Sequence, residues 1–267
     1  MRIVALHRYP VKSLGPETLT RAQVEPRGLA GDRCWMVVTP EGRFVTRRDL
    51  PAMAHVRADW TGAEIVLAHR DGASFRVAEP LNGTALPVRV WDDTVLARDA
   101  GDAAAHWLSV RFGRAVRLVH MAGVRPVAAE YGRPGDQVSF ADGFPLLVTT
   151  VESLDALNCA FASPITMARF RPNLVLAGAP AAFAEDGWTG LRIGAVTLRV
   201  VKPCTRCVIT TQDPDSGDVV TAMEPLRTLR AMGRVTPGPR REPVFGQNAI
   251  PDAAGTIAVG DTVEWIG

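Results

Sequence analysis

The chain has 267 residues, room for one large domain or two small ones, and 47% of them are apolar, so a core can form without disulfides. Its 30 Lys and Arg against 28 Asp and Glu leave a net charge of +2, too balanced for a nucleic-acid surface, although local residues can still recognise one small anion. Aromatic residues make up only 6%, while 24 glycines and 20 prolines favour short strands joined by turns.

The N-terminus, MRIVALHRYPVKS, reads as a strand and a turn, with too short an apolar run for a signal peptide. No run of about 18 apolar residues marks a membrane span anywhere, so a cytoplasmic protein without membrane contact is expected. Short alternating or β-branched segments then follow one another. They are Arg2–Arg8, Arg33–Val38, Arg43–Thr46, Ala54–Trp60, Ala63–His69, Ser74–Ala78, Leu86–Trp91 and Thr94–Arg98. Asp71–Ala73 and Asp92–Thr94 punctuate them as hairpin turns. This regularity predicts an antiparallel barrel or sandwich rather than βαβ units.

A helix is predicted from about Gly101 to Phe112, with Asp102 near its start and Trp107, Leu108 and Phe112 turned to the core. The polar stretch Ala122–Asp136 reads as an active-site loop or a join between domains. Thr150 is a cap for a second helix carrying Leu154, Leu157 and Phe161 on one face. A third helix is predicted over Glu224–Met232, with Pro225 in its first turn and Gly233 at its exit. FRPNLVLAG, LRIGAVTLRVV and TIAVGDTVEWIG complete the strand-like segments.

Chemistry concentrates in Lys202–Gly217, KPCTRCVITTQDPDSG. Pro203 is expected to end the preceding strand and leave Cys204 and Cys207 on a loop, with Arg206 and Lys202 close enough to favour thiolate. VITT reads as strand and DPDSG as a hairpin turn, since the latter lacks the spaced ligands of a calcium loop. Four cysteines do not suggest a disulfide framework, and Cys34 and Cys159 read as ordinary buried thiols. Structural zinc lacks its second ligand pair, because His7, His55, His69, His106 and His120 are scattered. A thioredoxin-like pair would need a helix starting at the first cysteine. A single thiolate completing the shell of a soft metal within a cofactor fits these residues best. Lys12 and Ser13, Gly31-Asp32-Arg33, and the group Arg169, Arg171 and Asn173 lie at strand ends, where such side chains can gather around a phosphate.

YPVKS, GDRCWMVV, FRPNLVL with EDGW, KPCTRCVITTQDPDSG and FGQN occur in that order along nearly the whole chain. On these motifs it resembles the MOSC superfamily, in particular the amidoxime-reducing components of mitochondria and their bacterial relatives. The resemblance implies a β-rich α+β fold: an N-terminal β-barrel-like domain over residues 1–120, an antiparallel β-barrel MOSC domain over 121–267, and a few peripheral helices. It implies molybdenum cofactor, with Cys207 as metal ligand and catalytic residue. Lys12, Ser13, Arg33, Arg171 and Asn173 would contact phosphate and pterin, and Thr205, Arg206 and Thr210 would surround the metal. The implied reaction is reduction of N-hydroxylated small molecules. No iron–sulfur cluster is expected in this chain, so electrons are expected from a separate ferredoxin-like protein, flavoprotein or cytochrome. RRDL after Val45-Thr46 departs from the family pattern, so substrate preference does not transfer. Two rival readings are a carrier of cofactor or sulfur using a Cys207 persulfide, and a β-rich binding module for acidic metabolites.

Overall fold

Alternation governs the strands: in Arg21–Glu25 the second and fourth residues, Ala22 and Val24, are buried and the other three are exposed. The computed structural model describes residues 1–219 and 221–266. Strands dominate it, with three α-helices among the described residues: α1 (Asp102–Phe112), α2 (Val151–Asn158) and α3 (Leu226–Ala231). The β-rich α+β architecture implied by the sequence is therefore present.

An eight-stranded sheet runs in the order Glu264–Ile266, Gly190–Ile193, Val196–Thr205, Val244–Ala253, Leu146–Thr150, Leu174–Ala177, Arg2–Arg8, Glu17–Leu19. A four-stranded sheet orders Trp35–Val38, Arg117–Met121, Asp93–Asp99 and Ala85–Val90, and two three-stranded sheets complete the set. Each ladder stays open, so the barrel-like layout comes from sheets packed over shared cores. Leu6, Leu146, Leu174, Leu191 and Val196 fill one core, and Trp35, Leu67, Leu108 and Phe112 fill another beneath α1.

Two exchanges tie the halves together. Arg2–Arg8 pairs antiparallel with Leu174–Ala177, and Gly255–Ala258 pairs with Arg21–Glu25. The first exchange carries Tyr9–Ser13 alongside Arg171–Asn173. The Tyr9 hydroxyl accordingly donates to the Pro172 carbonyl at 3.3 Å.

Several local expectations are corrected. Pro203 does not end its strand, which runs from Val196 to Thr205 and contains Cys204. Register shifts flank it, between Val200 and Lys202 and between Pro203 and Thr205, so the missing proline N–H interrupts a ladder that is already irregular. Val208–Thr211 is a 3-10 turn rather than strand, because the Cys207 carbonyl accepts from the Thr210 N–H at 3.0 Å and closes the chain on itself. Arg33 precedes its strand with a φ of 48°, and Trp35 begins it. Arg43–Thr46 makes only isolated bridges, and Ala54-His55 belongs to the 3-10 turn Pro51–His55. Trp91 and Asp92 form the tight turn expected one residue later, with the Trp91 φ at 56°.

Thr150 caps α2 as expected, accepting from the Ser153 N–H at 3.3 Å. α3 is shorter than its sequence suggested, with Pro225 at its cap rather than within it. DPDSG is the predicted hairpin turn: the Asp213 N–H donates to the Asp218 carbonyl at 2.7 Å. Gly217 makes this turn fit, since its φ is 78° and a Cβ would lie 2.5 Å from the Pro51 carbonyl oxygen.

Candidate functional site

One cleft of about 130 Å³ is lined from both halves of the chain, with Lys12, Arg33, Arg171 and Asn173 on one wall and Cys204 and Cys207 on the other. The cation wall is built on Asp32 and Asn173, both 1% exposed. Asp32 accepts from the Tyr9 N–H at 2.8 Å, from Arg33 Nη1 at 2.7 Å and from Asn173 Nδ2 at 3.1 Å. The Asn173 Oδ1 accepts from the Leu147 N–H and from Arg33 Nη1, both at 3.1 Å. The asparagine is thus committed to protein partners, and it positions Arg33 rather than reaching into the cleft.

Tyr9 forms an aromatic slab between two guanidinium groups, with Arg33 at 4.1 Å and Arg171 at 4.2 Å from its ring centroid. Arg171 is in the left-handed region, φ 56°, and its guanidinium has no hydrogen bond or ion pair to protein among the described residues. Burial, reinforced by the neighbouring Arg47 cation, pushes the Arg171 pKa down to about 9. Arg47 is 2% exposed and donates to the Ser13 and Pro214 carbonyls at 2.8 and 2.9 Å, while its Nη2 is buried without a partner. Asp32 is the buried carboxylate set against Arg33 and Arg171, while Asp213 and Asp215 act on Arg47. An anion in the cleft would supply the missing charge.

Lys12 lies deeper than its charge would favour. Its Nζ donates to the Phe140 carbonyl at 2.8 Å and pairs with Asp142, whose side chain is 62% exposed at the cleft mouth. Burial lowers the Lys12 pKa below the ordinary lysine range, and Asp142 opposes that effect.

Each cleft sulfur faces its own guanidinium. Arg48 Nη2 donates to Cys207 Sγ at 3.1 Å, and its guanidinium lies 4.8 Å from the Trp91 ring centroid. Arg206 Nη1 donates to Cys204 Sγ at 2.8 Å, and its Nη2 to the Phe170 carbonyl at 2.6 Å. The Phe170 ring is fixed in turn by stacking on Phe245, with centroids 4.0 Å apart. Thr210 is buried, and its hydroxyl donates to the Cys207 carbonyl at 2.9 Å. Arg169 braces the same turn from the Thr210 and Thr211 carbonyls.

Of the residues singled out from sequence, Lys12, Ser13, Arg33, Arg171, Asn173, Arg206, Cys207 and Thr210 line this cleft, and Thr205 does not: its side chain is exposed at the strand end. Lys202 is also absent from the cysteines' surroundings, because its ammonium lies 4.4 Å from the Tyr131 ring centroid. Cys34 is half-buried, with its thiol pushed up by burial to about 12, and Cys159 is exposed rather than buried. Sequence reading missed the roles of Arg48, Arg47 and Asp142. The unusual RRDL segment was the available signal for the first two.

Residues 1–115 match the MOSC N-terminal beta barrel domain family and residues 135–264 the MOSC domain family. The chain is 35% identical to the mitochondrial amidoxime-reducing component 1 of Xenopus laevis, across 96% of this chain and 79% of that one. It is 34% identical to mitochondrial amidoxime-reducing component 1 of Homo sapiens, across 99% and 83% of the two chains. For mitochondrial amidoxime reducing component 2 of Homo sapiens the identity is 30%, across 98% and 82%.

Proposed function

We propose that this chain, which belongs to the MOSC family, is an oxidoreductase that holds molybdenum cofactor and reduces N-hydroxylated compounds such as amidoximes. The observation that carries the reading is the meeting, in one cleft, of a guanidinium-fronted thiol and an under-neutralised set of cations. No cluster of three or more His, Cys, Asp or Glu able to hold a metal occurs among the described residues, so a metal at Cys207 would take its other ligands from a cofactor. Soft sulfur on one side and cations on the other suit a phosphorylated, sulfur-bearing metal cofactor.

In this reading Cys207 is the protein's metal ligand, with Arg48 balancing the negative charge on its sulfur. Lys12, Ser13, Arg33 and Arg171 face phosphate and pterin, and Asn173 keeps Arg33 in register. Arg206 and Thr210 fix the sulfur-bearing turn. When bound, the cofactor supplies two-electron redox chemistry. Burial raises the Asp142 carboxyl, but Lys12 and Arg48 outweigh that and hold it well below the usual carboxylate range, so at the mouth it serves as the anion that keeps Lys12 in place. Electrons come from a separate ferredoxin-like protein, flavoprotein or cytochrome. A cytoplasmic location belongs to the same proposal; no helix among the described residues is long and apolar enough to cross a membrane.

The test is expression with ample cofactor supply, followed by metal analysis and benzamidoxime reduction with an artificial donor. Wild type is expected to carry molybdenum and turn over, and Cys207→Ala to do neither. Metal-free wild type, or full activity in Cys207→Ala, overturns the reading. A persulfide on Cys207 without pterin or turnover would establish a sulfur carrier instead.

A further inference from the structure

Residues 225–241 contain five arginines and no acidic residue, in a chain whose charges otherwise nearly cancel. Arg227 pairs with Glu224 at 2.7 Å and Arg234 with Asp186 at 2.5 Å. Arg230, Arg240 and Arg241 are exposed and enter no ion pair among the described residues. Glu224, paired to Arg227, and Glu242 flank this stretch, so its three unpaired arginines leave an excess of positive charge on an exposed segment.

Its position ties that charge to the site. α3 packs on the 3-10 turn that begins after Cys207. Beyond α3 the chain doubles back: Val235 bridges Pro243, and the Val244 N–H donates to the Arg234 carbonyl at 3.0 Å. The Pro243 carbonyl then accepts from the Arg206 N–H at 2.7 Å, next to Cys207 in sequence. The basic arm is therefore joined directly to the sulfur-bearing segment. Three apolar side chains near it in sequence or packing are left open: Val208, Met223 and Met232 are 42%, 47% and 39% exposed. Asp213 and Asp215 lie in a turn tied to the N-terminal half, where His55 Nε2 donates to the Ser216 carbonyl at 2.9 Å. They are held in that turn, not paired to the arm.

We infer that this arm, formed by α3 and the doubled-back segment after it, is the docking surface for an acidic one-electron-carrier protein that serves the Cys207 site. The inference rests on the reductase reading for its purpose, though not for its geometry. Reduction of an N–OH group to N–H consumes two electrons and two protons and releases one water, so a one-electron carrier must dock twice per turnover. Cations around an apolar centre suit that traffic, because charge speeds encounter and orients the partner without requiring a long-lived complex. A membrane or nucleic acid would also be drawn by charge, but neither explains placement against the sulfur-bearing turn.

The experiment measures binding of a plant-type [2Fe–2S] ferredoxin, as an acidic probe, to the full chain by calorimetry at low and high salt. Wild type is expected to bind, with affinity falling as salt rises. The triple variant Arg230→Glu, Arg240→Glu and Arg241→Glu should bind about tenfold or more weakly at low salt. The glutamine triple should fall between them, which guards against a folding artefact of charge reversal. Benzamidoxime turnover driven by a reduced viologen dye should be the same in all three proteins. Equal ferredoxin affinity in wild type and both variants overturns the inference, as does tighter wild-type binding to duplex DNA or phosphatidylserine vesicles than to ferredoxin. Binding is read without turnover, so it stands or falls separately from the reductase reading, which the viologen assay tests alone.

Discussion

The two walls of the cleft hold their reactive groups by opposite means. On the cation wall, Asp32 and Asn173 commit their polar atoms to Tyr9, Arg33 and the strands behind them, so the cations are positioned by buried hydrogen bonds. On the sulfur wall, Cys207 is half-buried at the head of a 3-10 turn, and its sulfur meets a single guanidinium that comes from the other half of the chain. Changes to the scaffold of the first wall should therefore cost folding. Changes on the second should cost function while the fold survives.

The largest expected effect lies on the sulfur wall. Cys207→Ser should abolish molybdenum retention and lower turnover by about 1000-fold or more, while the denaturation midpoint stays near wild type. Cys204→Ser should keep most of the metal, since that sulfur sits on the strand and faces Arg206. Metal analysis beside a urea melt separates the two outcomes. A Cys207→Ser protein that loses stability along with its metal would break the contrast between the walls.

Next comes the cation wall's scaffold. Asp32→Ala removes a fully buried carboxylate and leaves the half-buried Arg33 cation, the Tyr9 N–H and Asn173 Nδ2 without their acceptor. Breaking such a buried pair from one side costs about 3–5 kcal/mol, which urea unfolding would read directly. A loss below about 1 kcal/mol would mean that the wall is not held as described.

Arg171→Gln sharpens the comparison, because this cation belongs to the first wall yet has no protein hydrogen bond to lose among the described residues. Removing it relieves repulsion with Arg47, so stability should hold or rise slightly. Cofactor retention on dialysis should nevertheless fall by about 10-fold or more, the value of a charge-assisted contact to an anion. Unchanged retention would remove Arg171 from the anion-binding set.

This division also explains what the sequence disclosed. Strand alternation, the Thr150 cap and the Gly217 turn are local, and they are present where the residues indicated. YPVKS and CTRC identified the cleft because both are short ordered motifs carrying their own chemistry. Arg48 was not legible, since its meeting with Cys207 spans 159 residues and depends on the fold. The resemblance places Asn173 among the cofactor contacts, and what no motif discloses is that its amide also holds Arg33 and the Leu147 N–H. The strand through Pro203 was hidden for a related reason: irregular pairing tolerates a proline, and irregularity leaves no periodic trace.

The smallest effect concerns a carboxyl away from the cleft. Glu185, 1% exposed, accepts from the Thr150 and Ser153 hydroxyls at 3.1 and 2.8 Å through Oε2, while Oε1 is buried without a partner. Burial raises its pKa, and the two hydroxyls oppose that effect without cancelling it. A carboxyl raised on folding favours the native state while protonated in both states, below its unfolded pKa. That contribution is lost as pH rises through the folded pKa. A tenfold difference in proton affinity between the folded and unfolded chain corresponds to about 1.4 kcal/mol. Glu185→Gln cannot ionise, so its stability relative to wild type should improve as pH rises above the ordinary carboxylate range. Urea melts of both proteins at successively higher pH give the difference directly. A gap that stays constant with pH would show that Glu185 is already ionised in the native protein, with the orphaned oxygen solvated by a bound water.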